Sequence, residues 1–95
     1  MAFLFPAKVT ERRTEIAVKD FAELSALVGG MVEVVREKTH DGVYHVICNE
    51  EGKVFGLPRN IGATQQMGRS WRDHDFLVGP VVLLNDQEFT AIMEG

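Results

Sequence analysis

Cysteine, proline, tryptophan and tyrosine are scarce in this chain: one Cys, three Pro, one Trp and one Tyr among 95 residues. The lone thiol, Cys48, cannot close an internal disulfide, so the fold must rest on a hydrophobic core and suits a reducing, cytoplasmic setting. No apolar run approaches the ~18 residues of a membrane-spanning helix, and the N-terminus lacks a basic stretch followed by a long apolar one. Positive charge is short as well. A net charge of −4 argues against a nucleic-acid binder that neutralises phosphates over its whole surface. His40, Asp41, His45, Cys48 and His74 show no tight metal-ligand spacing, and His45 and Cys48, three apart on a strand, point to opposite faces. Gly52, Gly56 and Gly62 are not placed between a strand and a helix start, as a phosphate cradle requires. No nucleophile, base and orienter can be assembled. The expectation is therefore a non-enzyme without metal or cofactor.

What the chain does have is 45% apolar content, enough for one compact domain over residues 1–95. Val43 to Cys48 is β-branched, aromatic or apolar apart from His45, as a buried strand would be. Asn49-Glu50-Glu51-Gly52 then supplies turn formers, and the spacing predicts a central hairpin whose second arm, Lys53 to Leu57, ends at Pro58. Upstream, Ala2 to Phe5 and Thr14 to Val18 read as paired strands. Asp20 with Glu23 has the spacing of a helix cap, and Phe21, Leu24, Leu27 and Val28 share one helical face that ends at Gly29-Gly30. Met31 to Glu37 reads as a strand leading through an Asp-Gly turn into the hairpin, giving a three-strand meander. Ile61 to Asp75 reads as a long loop or a short helix over Ala63 to Met67. Phe76 to Leu84 reads as a buried strand with a bulge or an edge position at Gly79-Pro80, and Glu88 to Met93 as a final helical turn. The fold expected is α+β: a mainly antiparallel sheet of five to six strands with one short helix packed on a face. Val54 and Phe55 are expected in its core, His45 outside it.

Leu27 to Glu33, the segment Cys48-Asn49-Glu50-Glu51-Gly52-Lys53, then Gly56-Leu57-Pro58-Arg59-Asn60 and Val78 to Val81 together resemble the domain of unknown function 3846 family, from about Ile16 to Phe89. The resemblance implies a bacterial, phage or mobile-element setting and no established activity. Ile61 departs from the pattern, standing where members often carry a basic residue.

Two surfaces qualify for function. Arg59, Asn60, Thr64, Arg69, Trp71, Arg72 and His74, with Asn49 and Lys53 at the turn, concentrate donors around one large aromatic. Such a set suits a nucleotide or another anionic small ligand, since guanidinium groups bind phosphate or carboxylate bidentately and Trp stacks on a base. The alternative is a solvated loop in which Trp71 anchors against the sheet and the arginines face Asp73 and Asp75. Glu33, Glu37, Asp41, Glu50 and Glu51 form the second surface, an acidic face for docking a basic protein partner, or simply for solubility. An exposed sheet edge is the other route by which an adaptor or inhibitor of this kind would dock a protein partner, and such edges also admit self-association.

Overall fold

Residues 2–8, 11–40, 42–73 and 75–94 are described by a computed structural model. In chain order the elements are β1 (Ala2–Phe5), β2 (Thr14–Ile16), α1 (Phe21–Val28), β3 (Val32–Thr39), β4 (Gly42–Asn49), α2 (Ile61–Gln66), α3 (Arg69–Arg72), β5 (Val81–Leu84) and α4 (Asp86–Glu94). The strands form one antiparallel sheet in the order β2-β1-β5-β4-β3. This is the α+β class expected, with β1 one strand in from the edge.

Period-two alternation decides what each face of the sheet buries. Even-numbered Val46 and Cys48 of β4 join Phe5, Val81 and Leu83 against Ala63, Met67 and Trp71. Odd-numbered Ile47 joins Ala2, Val82 and Leu84 against Leu24, Val28 and Ile92. One face is thus covered by α2 and α3, the other by α1 and α4. β4 and β5 sit centrally: β5 is buried throughout and β4 from His45 to Asn49, which is why the sequence there runs nearly continuously apolar.

α1 forms where its caps dictate. The Asp20 side chain accepts from Glu23 N at 2.9 Å, and Glu23 Oε2 accepts from Lys19 N at 3.0 Å, satisfying amides that a helix start leaves unpaired. Gly29 closes it at φ 81°, with its N–H donated to Ser25 O, a left-handed conformation that favours glycine. Leu24 and Val28 anchor the helix to the sheet; truncating a buried leucine of this kind costs about 2–5 kcal/mol.

Three sequence expectations are corrected. The central hairpin does not form: residues 50–56 are consecutive turns, and β4 pairs instead with β3 on one side and β5 on the other. Val54 and Phe55 are consequently 83% and 67% exposed, not core. The last strand is shorter than Phe76 to Leu84, since only Val81 to Leu84 joins the sheet while Val78 makes an isolated bridge to Arg59. His45 is buried: its Nε2 lies 2.7 Å from Asp86 Oδ1 and its ring stacks on Phe89 at 3.9 Å. The stretch after Asn60, left open between loop and helix, is helical as α2 and α3, and the final turn is the two-turn α4.

Candidate functional site

The turn after β4 is built around Asn49. Its Oδ1 accepts from Glu51 N at 2.9 Å and its Nδ2 donates to Val28 O at 3.2 Å, tying the turn to the end of α1. Gly52 N donates to Asn49 O, and Leu57 N donates to Gly52 O. A Cβ at Gly52 would stand 2.7 Å from Val78 Cγ2, so this glycine lets the segment before β5 lie directly on the turn. Asn60 completes the frame. Its Nδ2 donates to Phe5 O at 2.7 Å and to Gly79 O at 2.8 Å, while its Oδ1 accepts from Ala63 N and caps α2. Thr64 Oγ1 donates to Asn60 O and accepts from Leu77 N.

With turn and segment pinned together, a cleft of about 290 Å³ opens on the α2/α3 face between the edge strand and Trp71 with residues 75–78. Glu33 and Val35 of β3 and Cys48 of β4 line its sheet side, Trp71 and Phe76 the opposite side, and Glu50, Lys53 and Asp75 its polar margin. The Lys53 ammonium pairs with Asp75 and stands 4.6 Å from the centre of the Phe76 ring; the Arg59 guanidinium lies 4.0 Å from that same ring. Pairing with Lys53 holds the Asp75 carboxyl below its ordinary range. Asp75 and Lys53 thereby neutralise each other, leaving Glu33 and Glu50 as the cleft's excess charge. Cys48 Sγ stands 3.5 Å from Glu33 Oε1. Burial, reinforced by the Glu33 charge, pushes this thiol up to about 12, so it is a neutral, unreactive wall group at physiological pH.

Of the residues expected at a ligand site, Asn49, Lys53 and Trp71 line this cleft, and Arg59 reaches it only through Phe76. Asn60 and Thr64 are spent on backbone groups of the frame. Arg69 and Arg72 are exposed on α3 outside the lining, and His74 lies outside the described residues, as does Asp41. The expected facing of arginines toward Asp75 is replaced by Lys53. Among the described residues no group of three His, Cys, Asp or Glu side chains is gathered to hold a metal, and no helix is long and apolar enough to cross a membrane. Among the residues expected at the ligand site, Val35 and Phe76 were missing; the signal for Val35 was alternation, which sets Glu33, Val35 and Glu37 on one face of β3.

Comparison with protein families matches residues 3–94 to the family described as Domain of unknown function (DUF3846). The chain belongs to this family. Comparison with the curated proteins and with the solved structures finds no match. In this DUF3846 member the segment from Cys48 to Lys53 supplies the cleft's floor and margin, and the segment from Gly56 to Asn60 supplies the frame that holds the far wall in place.

Proposed function

We propose that this DUF3846 chain is a non-catalytic protein-binding module whose site is the cleft between β3 and Trp71, and that it takes a basic group of its partner there. The observation carrying this reading is the composition of the lining: three carboxylates, Glu33, Glu50 and Asp75, against one ammonium, Lys53, beside the rings of Trp71 and Phe76. A cation entering such a cleft gains Coulomb attraction and contact with aromatic faces. An anion would meet repulsion from Glu33 and Glu50, and its expected donors are engaged elsewhere or lie outside the lining. The acidic-face reading of the sequence is thus supported better than a nucleotide site. An accessory role in a phage or mobile element belongs to the proposal through the family resemblance alone.

Trp71 is the sole tryptophan, so its emission reports directly on the cleft. Titration with a short lysine- and valine-containing peptide is expected to change that emission saturably, less so at high salt. Glu33→Gln and Glu50→Gln should each weaken binding about two- to fivefold. Saturable binding of a nucleotide, with no response to the basic peptide, would overturn this reading in favour of the anionic ligand.

A further inference from the structure

β3 is the outer strand on the cleft side of the sheet, and the bonds at its ends fix which of its backbone groups are free. Glu50 N donates to Met31 O at 2.8 Å, so Val32 and Asn49 oppose each other without bonding mutually. In an antiparallel ladder such pairs alternate with mutually bonded ones. Val34 and Arg36, like Val32, therefore turn N–H and C=O away from β4. The strand's far end is closed, because Thr39 bridges Met67 and His40 N donates to Gln66 O. The open edge runs from Val32 to Lys38, whose N–H leans 3.4 Å to Glu37 Oε1.

The same strand sorts its charges by face. Glu33 and Glu37 share the α2/α3 face with Val35 between them, while Arg36 and Lys38 lie on the other face. Four residues of strand set the two carboxylates ~13 Å apart. A second copy of this chain fits the edge poorly. A two-fold axis through a continuous antiparallel sheet keeps each face on the same side, so odd residues meet odd ones. Centring the pairing on Val35 opposes Glu33 to Glu37, centring it on Arg36 opposes that arginine to itself, and centring it on Val34 avoids like charges but pairs only Val32–Arg36 and leaves Glu37 and Lys38 off the ladder. Like charges directly opposed destabilise a strand pair.

We infer that the partner is an extended segment of another protein that pairs with Val32–Lys38 as a further strand and carries the pattern basic-x-apolar-x-basic. Its apolar side chain lies beside Val35 at the cleft, and its two basic side chains meet Glu33 and Glu37. Main-chain bonds supply affinity and the carboxylates supply register and selectivity. The pattern reads alike in either direction, so strand polarity is not specified. This rests on the cleft reading above and names the partner of that same site.

The test uses the full chain and an acetylated, amidated peptide Thr-Lys-Thr-Val-Thr-Lys-Thr, with amide hydrogen exchange and Trp71 emission read together. The expected result is protection of the Val34 and Arg36 amides by more than about tenfold with a change in emission. A peptide N-methylated at the groups facing β3 should lose both, and the Glu33→Gln/Glu37→Gln double variant should bind at least about fivefold more weakly. Unchanged exchange of the β4 amides verifies that this variant is folded. An emission change with unprotected Val34 and Arg36, and equal binding of the N-methylated peptide, overturns the strand pairing while leaving the acidic cleft standing. No response in either signal overturns both. Concentration-dependent protection of β3 without peptide assigns the edge to a second copy and overturns the inference.

Discussion

Asn60 has a side chain that sequence reading takes for a ligand donor and that folding commits to the backbone. Its carboxamide joins β1, the loop before β5 and the start of α2 through three hydrogen bonds, fully buried. Its partners Phe5 and Gly79 lie 55 and 19 positions away, so no local signal announces them; only its role as the cap of α2 is local. Asn60→Ala strands buried Phe5 and Gly79 carbonyls and should cost about 3 kcal/mol, measured as the shift in urea unfolding. Loss below about 1 kcal/mol would show that water satisfies those groups. Cys48 gives a second test at this scale. With its thiol held near 12, alkylation by iodoacetamide at pH 8 should be slowed at least about a hundredfold relative to urea-unfolded protein. Equal rates would place the thiol in solvent rather than on the wall of the cleft.

Elements were legible where their determinants are neighbours in sequence. α1 was readable from Asp20, Glu23, Gly29 and the spacing of Leu24 and Val28, and β1 with β2 from two short apolar runs. The hairpin expected at residues 43–60 failed because β-branched and aromatic residues at 54 and 55 carry strand propensity without any strand beside them; propensity yields to pairing partners. What holds the turn open instead is Gly52, where the side chain of Val78 lies too close for any Cβ, and Gly79, whose φ is 69° and whose Cβ would meet Leu57 Cδ1 at 2.8 Å. Gly52→Ala should therefore push residues 75–79 off the turn. We expect a loss of about 1–3 kcal/mol in urea unfolding, together with a change in Trp71 emission before any unfolding. Unaltered emission and stability would mean that the segment is not seated on the turn.

Across the whole molecule, charge is arranged by face and by ion pairs between distant elements. Arg36 of β3 holds Asp86 at the start of α4 by contacts of 3.2 and 3.0 Å, and His45 approaches the same carboxylate. Pairing with Arg36 first, then His45, lowers the Asp86 carboxyl, as Lys53 lowers that of Asp75. A carboxyl depressed on folding adds stability that is complete above the unfolded value of ~3.9 and is lost as pH falls through the lower folded value. The urea midpoint should therefore hold from neutral pH to about pH 5 and drop below about pH 4, with a shallower drop in Asp86→Asn. An Asp86→Asn profile with the wild-type slope would remove Asp86 from the acid transition. Both pairs are substantially exposed, so salt should flatten the effect.

The sheet class and the acidic residues were legible in the sequence; the cleft was not, because β3, the turn after β4, Trp71 and residues 75–78 come together through contacts distant in sequence: the Asn49 and Asn60 hydrogen bonds, the close approach of Gly52 to Val78 and the Lys53–Asp75 pair. Chemical-shift mapping of the labelled chain with the basic-x-apolar-x-basic peptide tests the resulting account most directly. The account predicts perturbations concentrated along β3 from Val32 to Lys38, at Cys48, Glu50 and Phe76 and at the Trp71 indole, with α1 and the C-terminal half of α4 silent. Perturbations centred on α1 and α4, or on the exposed arginines Arg69 and Arg72 with the indole unmoved, would contradict it.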